Sequence, residues 1–129
     1  MFTIHSHDTG SVLPWEHMKA KAGTYKAGQL LNAADGALTP IAAASKTTPG
    51  YLCMANITVE EGGVVPVTRI QHTAVYETQL SAAAEGAAEG SKLEVSAGGL
   101  QVDAAAAGTF EVTYIEATTA GALVRGRFI

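Results

Sequence analysis

The sequence predicts a small all-β domain of barrel type, preceded by an extended N-terminal arm. Three observations carry that expectation. Hydrophobic residues come in short runs bounded by Gly, Pro, Asn or Asp; β-branched and aromatic side chains are frequent within these runs; and no window holds a sustained helical period. With 129 residues the chain has the size of one compact domain. Hydrophobic residues make up 47% of it, but 24 of them are Ala, and Leu, Ile, Val and Phe together number only 28, so the core is thin. Chains with thin cores gain stability by docking onto something else.

Residues 1–23 read as the arm. They contain three of the four His (His5, His7, His17) and the only Trp, Trp15, which follows Pro14. Phe2 and Ile4 are spaced for one face of a short strand, and Glu16-His17-Met18-Lys19 for a brief helical turn. Residues 24–129 read as the β-domain. Its strand candidates are Gln29-Leu30-Leu31, Tyr51-Leu52-Cys53-Met54, 64–70, Lys92-Leu93-Glu94-Val95, Gly99-Leu100-Gln101-Val102, 110–115 and 123–129. In 110–115, Phe110, Val112 and Tyr114 share one face and Glu111, Thr113 and Ile115 the other. In the closing run, Arg125 and Arg127 share one face, with Val124, Gly126 and Phe128 opposite, which builds the C-terminal segment into a sheet. Residues 76–85 have high helix propensity but a sparse apolar stripe. The Ala-rich stretches 41–45 and 104–107 are too short to nucleate helices and read as loops or single turns.

An internal repeat runs at a spacing of 62 residues. Gly28, Leu31, Gly36 and Leu38 align with Gly90, Leu93, Gly98 and Leu100, and the same register sets Ala42-Ala43-Ala44 against Ala104-Ala105-Ala106. A Gly-aromatic element follows each copy, Gly50-Tyr51 and Gly108-Thr109-Phe110. Each copy reads as strand, Gly turn, strand and return strand, giving two similar hairpin units at about 26–52 and 88–115 in one barrel or sandwich.

Charge and motifs exclude several functions. Eight basic and twelve acidic residues leave a net charge of −4, so no basic surface recommends nucleic acid or anionic lipid. No apolar run approaches the roughly 20 residues that span a bilayer. The start lacks the basic and apolar regions of a secretory signal, and a single cysteine rules out an internal disulfide, so synthesis in a reducing cytoplasm is expected. His5-Ser6-His7-Asp8, with His17 nearby, resembles half a metal site but has no committed further ligand, and reads as surface or interface. Cys53 and His72 could be paired as nucleophile and base, yet Cys53 sits in an apolar strand run, where a lone Cys behaves as a small hydrophobe. Ser45-Lys46-Thr47-Thr48 lacks the glycine frame of a phosphate loop. The carboxylates fall in turns or on polar strand faces. The expectation is therefore no enzyme, no metal and no cofactor. Arg125 and Arg127 either solvate an edge strand or form salt bridges with an acidic partner.

The order Lys26-Ala-Gly-Gln-Leu-Leu31, Asp35-Gly-Ala-Leu-Thr-Pro40, Gly50-Tyr-Leu, a strand near 64–70 and a terminal Val-Arg-Gly-Arg-Phe resembles the head decoration, or capsid cement, proteins of tailed bacteriophages. The resemblance covers residues 23–129 and is strongest at 26–52. The chain departs from the smallest members in its second hairpin and in the acidic stretch at 77–89. What the resemblance implies is a β-tulip-like domain and a virion structural protein, made in the host cytoplasm, that binds the outside of the capsid and clamps major capsid subunits as a homo-oligomer, with a trimer favoured. The arm would then carry the contact through Phe2, Ile4, His5 and Trp15, adding a strand to a capsid edge. The alternative from another class is a small β-barrel module that binds carbohydrate or peptide.

Overall fold

The computed structural model describes residues 1–105 and 107–129, and it is all-β; Ala106, at the end of the second aligned Ala triplet, lies outside the described residues. The strands of the first half are β1 (Thr3–His7), β2 (Glu16–Lys19), β3 (Gly23–Tyr25), β4 (Leu30–Ala34), β5 (Ala37–Pro40), β6 (Tyr51–Cys53), β7 (Ile57–Val59) and β8 (Val64–Arg69). Those of the second half are β9 (Ala74–Gln79), β10 (Lys92–Val95), β11 (Val102–Asp103), β12 (Phe110–Ile115) and β13 (Leu123–Phe128).

Two sheets close, or nearly close, into rings. The first has the order β2-β8-β6-β4-β5. It curls until Ala20, one residue past β2, pairs in parallel with Leu38 of β5, and the Lys21 N–H donates to the Leu38 carbonyl at 3.0 Å. The second has the order β1-β9-β13-β12-β10-β11. Here Leu80, one residue past β9, pairs in parallel with Val102 of β11, and the Ser81 N–H donates to the Val102 carbonyl at 3.0 Å. With β1 set aside, both rings share one plan. The first strand of each hairpin unit lies between the second and third, the fourth lies beyond the third, and an opening strand, β2 or β9, completes the circuit. The 62-residue repeat thus extends from a hairpin to a whole ring. A ribbon of β3 and β7 caps the first ring.

The hairpins themselves differ. Asp35 and Gly36, at φ 54° and 76°, form a two-residue turn between the paired Ala34 and Ala37, a geometry that needs positive φ twice. In the second unit Val95 pairs with Val102 and residues 96–101 form a longer loop.

Each ring has its own filling. Leu31, Leu38, Cys53, Val65, Val67, Ala20 and Tyr25 are buried in the first. The second holds Tyr76, Leu80, Leu93, Val95, Val102, Phe110, Val112, Val124 and Phe128, joined by Phe2. Leu30 and Leu52 point out of the first ring and are buried in the second cluster, beside Leu13 and Ile41. That is why Leu30-Leu31 and Leu52-Cys53 are buried as consecutive pairs: their sheet is covered on both faces. Phe110 meets Phe128 at a centroid distance of 5.2 Å, Tyr76 meets Phe128 at 5.5 Å and Phe2 meets Phe110 at 5.9 Å, all edge to face. Such pairs contribute about 0.5–1.5 kcal/mol each beyond their buried area.

Several expectations are corrected. Residues 1–23 are not a separate arm, because β1 pairs with β9, Phe2 is 1% exposed and β2 is a wall of the first ring. Residues 16–19 form a strand, not a helical turn. β13 lies between β9 and β12, so Arg125 and Arg127 do not solvate an edge. The alternation of 110–115 breaks at a bulge: Val112 faces Gly126 and Tyr114 faces Arg125, which leaves Thr113 unpaired. Tyr114 therefore points to solvent and Ile115 packs on the core. Within 76–85, Tyr76 and Thr78 are buried alternately in β9, so a two-residue period overrides the helix propensity of that stretch.

Candidate docking face

β1 ends at His7, and residues 8–15 carry the chain across to β2. A turn at Gly10, with φ 70°, starts this loop, and the Gly10 N–H donates to the His7 carbonyl at 2.8 Å. Both ends are fixed. The Asp8 N–H donates to the Thr73 carbonyl at 3.0 Å, and the Asp8 carboxylate accepts from Arg127 Nη2 at 2.7 Å. Leu13 is sunk in the second core. Between and beyond these anchors two apolar side chains face solvent, Val12 at 92% and Trp15 at 55% exposure.

Beneath them lies a groove of about 350 Å³, lined by Ile4, His5, Val12, Leu13, Trp15 and Met54 among others. Ile4 and Met54 also line an adjoining hollow of about 260 Å³ that runs along β1 to Met1, Phe2 and Gly28. Together they form an apolar trench flanking β1. Covering a large exposed aliphatic or aromatic side chain contributes about 1.5–3 kcal/mol, so Val12 and Trp15 are an energetically useful contact.

The expected contact residues are only partly brought together. Trp15, Ile4 and His5 share the groove, while Phe2 is spent in the aromatic core. His5 is exposed, with Nδ1 3.4 Å from Ser6 Oγ. His7 is half-buried, its Nδ1 2.8 Å from Thr9 Oγ1 and its Nε2 2.8 Å from Thr73 Oγ1. The β1 register slips between Ile4 and Ser6, so His5 and His7 are not the regular same-face pair that their spacing suggests. Val12 and Met54 join the face without having been among the contact residues expected from the sequence. Val12 is signalled only as an isolated apolar residue after Gly10-Ser11, and Met54 closed what reads as a buried run.

Arg125 and Arg127 are not free for an acidic partner. Arg125 Nε donates to Glu77 Oε2 at 2.8 Å, and its guanidinium lies 5.1 Å from the Tyr114 ring centroid. Arg127 holds Asp8 and also donates to the His72 carbonyl at 3.3 Å. A similar cluster sits on the first ring, where Arg69 Nε meets Glu16 at 2.7 Å and lies 5.4 Å from the Tyr51 centroid.

Cys53 and His72 are held in different rings. The Cys53 thiol is inside the first, 3.2 Å from the Ala55 carbonyl, and burial raises its pKa, which disfavours the thiolate. His72 Nδ1 lies 2.6 Å from the Phe128 carbonyl. Among the described residues no group of three or more His, Cys, Asp or Glu side chains is placed to hold a metal ion, and no helix is long and apolar enough to cross a membrane. No protein-family model matches the chain, and no curated protein matches it either.

Proposed function

We propose that this is a virion structural protein that binds the outer surface of major capsid subunits on a tailed-phage head and stabilises the shell. The contact is the face made by the 8–15 loop, Trp15 and the trench beside β1. The observation that carries the reading is the exposure of Val12 and Trp15 on a loop tied down at both ends: ordering entropy has already been spent before binding. Aromatic anchors beside an apolar groove are the usual energetic centre of a protein contact. The Gly-based hairpin unit at 26–52 supplies the resemblance to capsid cement proteins, and in a protein carried in many copies on one shell individually weak sites act together. On this reading no metal, cofactor or nucleic acid takes part.

The test is binding of the purified protein to expanded heads that lack it. The double variant Val12→Asp, Trp15→Ala is expected to bind at least about tenfold more weakly, as for loss of a contact anchor, with an unchanged thermal midpoint. Binding equal to that of the unaltered protein overturns the reading, and a fall in the midpoint reassigns the two side chains to the fold.

A further inference from the structure

We infer that the outer edge of β2 is a slot for an extended segment of a partner polypeptide, and that the pairing of β1 with β9 inside this chain is its template. The inference rests on the docking reading for the identity of the partner, but its geometry stands apart from it.

β9 is paired on both sides, with β13 along one edge and with β1 along the other, where Thr3 faces Glu77 and Ser6 faces Val75. β2 occupies β9's place in the first ring. It neighbours β8 as β9 neighbours β13, and each strand ends one residue before its closing parallel bridge, at Ala20 and Leu80. Counting back from those bridges sets His17 against Glu77 and Trp15 against Val75. The two halves then differ in one respect: the edge of β2 is taken by Leu38 of β5 at Ala20, as β9 is met by Val102 at Leu80, but among the described residues no strand pairs with residues 15–17, where β1 pairs with β9.

The main chain at that edge is aimed outward. The Met54 N–H donates to the Pro66 carbonyl, so Pro66 presents its acceptor to the β6 side. Pro66 is the residue opposite His17. In an antiparallel pair the main-chain polar groups of facing residues point either toward each other or apart, and the Pro66 carbonyl points away from β2, so the His17 N–H and C=O point away from β8, out of the sheet. His17 is exposed, as are Trp15 before it and Lys19 after it, on the same face. Lys19 has no ion-pair partner among the described residues.

These features define the occupant. It is an extended segment running antiparallel to β2, as β1 runs to β9, with an apolar side chain over Trp15, a small polar one over His17 and a carboxylate over Lys19. Main-chain hydrogen bonds supply affinity in such strand addition, and the side chains supply selectivity.

The experiment reads amide hydrogen exchange on the whole protein, with the short acetylated peptide Glu-Thr-Ser-Thr-Val as probe, whose alternate residues put glutamate over Lys19, serine over His17 and valine over Trp15 in the antiparallel direction. The His17 amide is expected to exchange freely in the protein alone and to slow by about tenfold or more with the peptide, as an edge donor becomes paired. His17→Pro removes that donor without touching the β8 ladder, and is expected to abolish both peptide binding and head binding. A His17 amide that is already protected, or that the peptide leaves unchanged, overturns the slot whether or not the proline variant folds. Heads that bind the unaltered protein and His17→Pro alike also overturn it while leaving the docking reading intact. A peptide that protects His17 on a protein that does not bind heads preserves the slot and removes the docking reading.

Discussion

The two rings follow one strand order and are filled in different ways. The first packs aliphatic side chains around Cys53, with Tyr25 buried at its capped end and Tyr51 packed against it from outside. The second is filled around Tyr76, Phe110 and Phe128, with Phe2 supplied by β1. Exchanging aliphatic for aromatic filling in one plan needs space, and glycine provides it. A Cβ on Gly126 would lie 2.7 Å from the Phe110 ring and 2.5 Å from the Glu111 carbonyl oxygen, and one on Gly108 would collide with the Leu93 carbonyl. At the corresponding place in the first ring, a Cβ on Gly50 meets only the Leu31 carbonyl oxygen, at an ordinary 3.9 Å. Interiors packed to crystal density adapt by removing atoms from the facing strand more readily than by moving it.

That contrast is sharpest in a matched pair of substitutions. Gly108→Ala is expected to cost about 3 kcal/mol or more, because backbone must move, whereas Gly50→Ala is expected to cost less than about 1 kcal/mol. Urea unfolding midpoints of the two variants decide it, and equal losses would mean that the rings are equally tight. The Arg-Tyr-Glu clusters separate the rings less. The Arg125–Glu77 pair has side chains 35% and 28% exposed and the Arg69–Glu16 pair 59% and 37%, so double-mutant cycles should give about 1 kcal/mol for the former and a smaller coupling for the latter.

The smallest effect lies in the hairpins. Glu94 faces Asp103 across β10 and β11, where the first ring sets Asn32 against Thr39. Burial, and then the Glu94 charge, raise the Asp103 carboxyl pKa in the folded protein. The folded state therefore holds the proton more tightly than the unfolded one. Its contribution is full below the ordinary Asp range and is lost as pH rises from there through the raised value. Asp103→Asn should remove that slope and stabilise the neutral-pH protein by roughly 0.3 kcal/mol, since facing like charges near solvent are mildly unfavourable. Parallel pH–stability curves for both proteins would show that the two hairpins do not differ electrostatically.

Much of this plan is legible in the sequence, because short glycine-bounded runs mark strands and the spacing of Leu31 and Leu93 marks the repeat. What was not legible depends on partners distant along the chain. Phe2 and Ile4 announce a strand, but the strand they join begins at Ala74, and no local pattern points there. Glu16-His17-Met18-Lys19 consists of residues that suit a helix, and pairing with β8 overrides that weak preference. The bulge at Thr113 exchanges the roles of Tyr114 and Ile115 without any glycine to signal it. The arginine charges looked available because Glu77 and Asp8, which neutralise them, are remote in sequence. In the docking face, Trp15 was visible as a lone aromatic, whereas the trench is made only when Met54 comes against Ile4.

The position of β13 has a consequence for synthesis. Every strand of the first ring lies within residues 16–69, so that ring has all its parts as soon as this length has left the ribosome. The second ring is missing a central strand until residue 128 emerges, and β1, made before the whole first ring, waits for β9. At about 5–20 residues per second, the first ring has several seconds alone, with Leu30 and Leu52 uncovered on its outer surface. The earlier ring thus offers the nascent chain a finished apolar wall, on which the later and more aromatic ring is assembled.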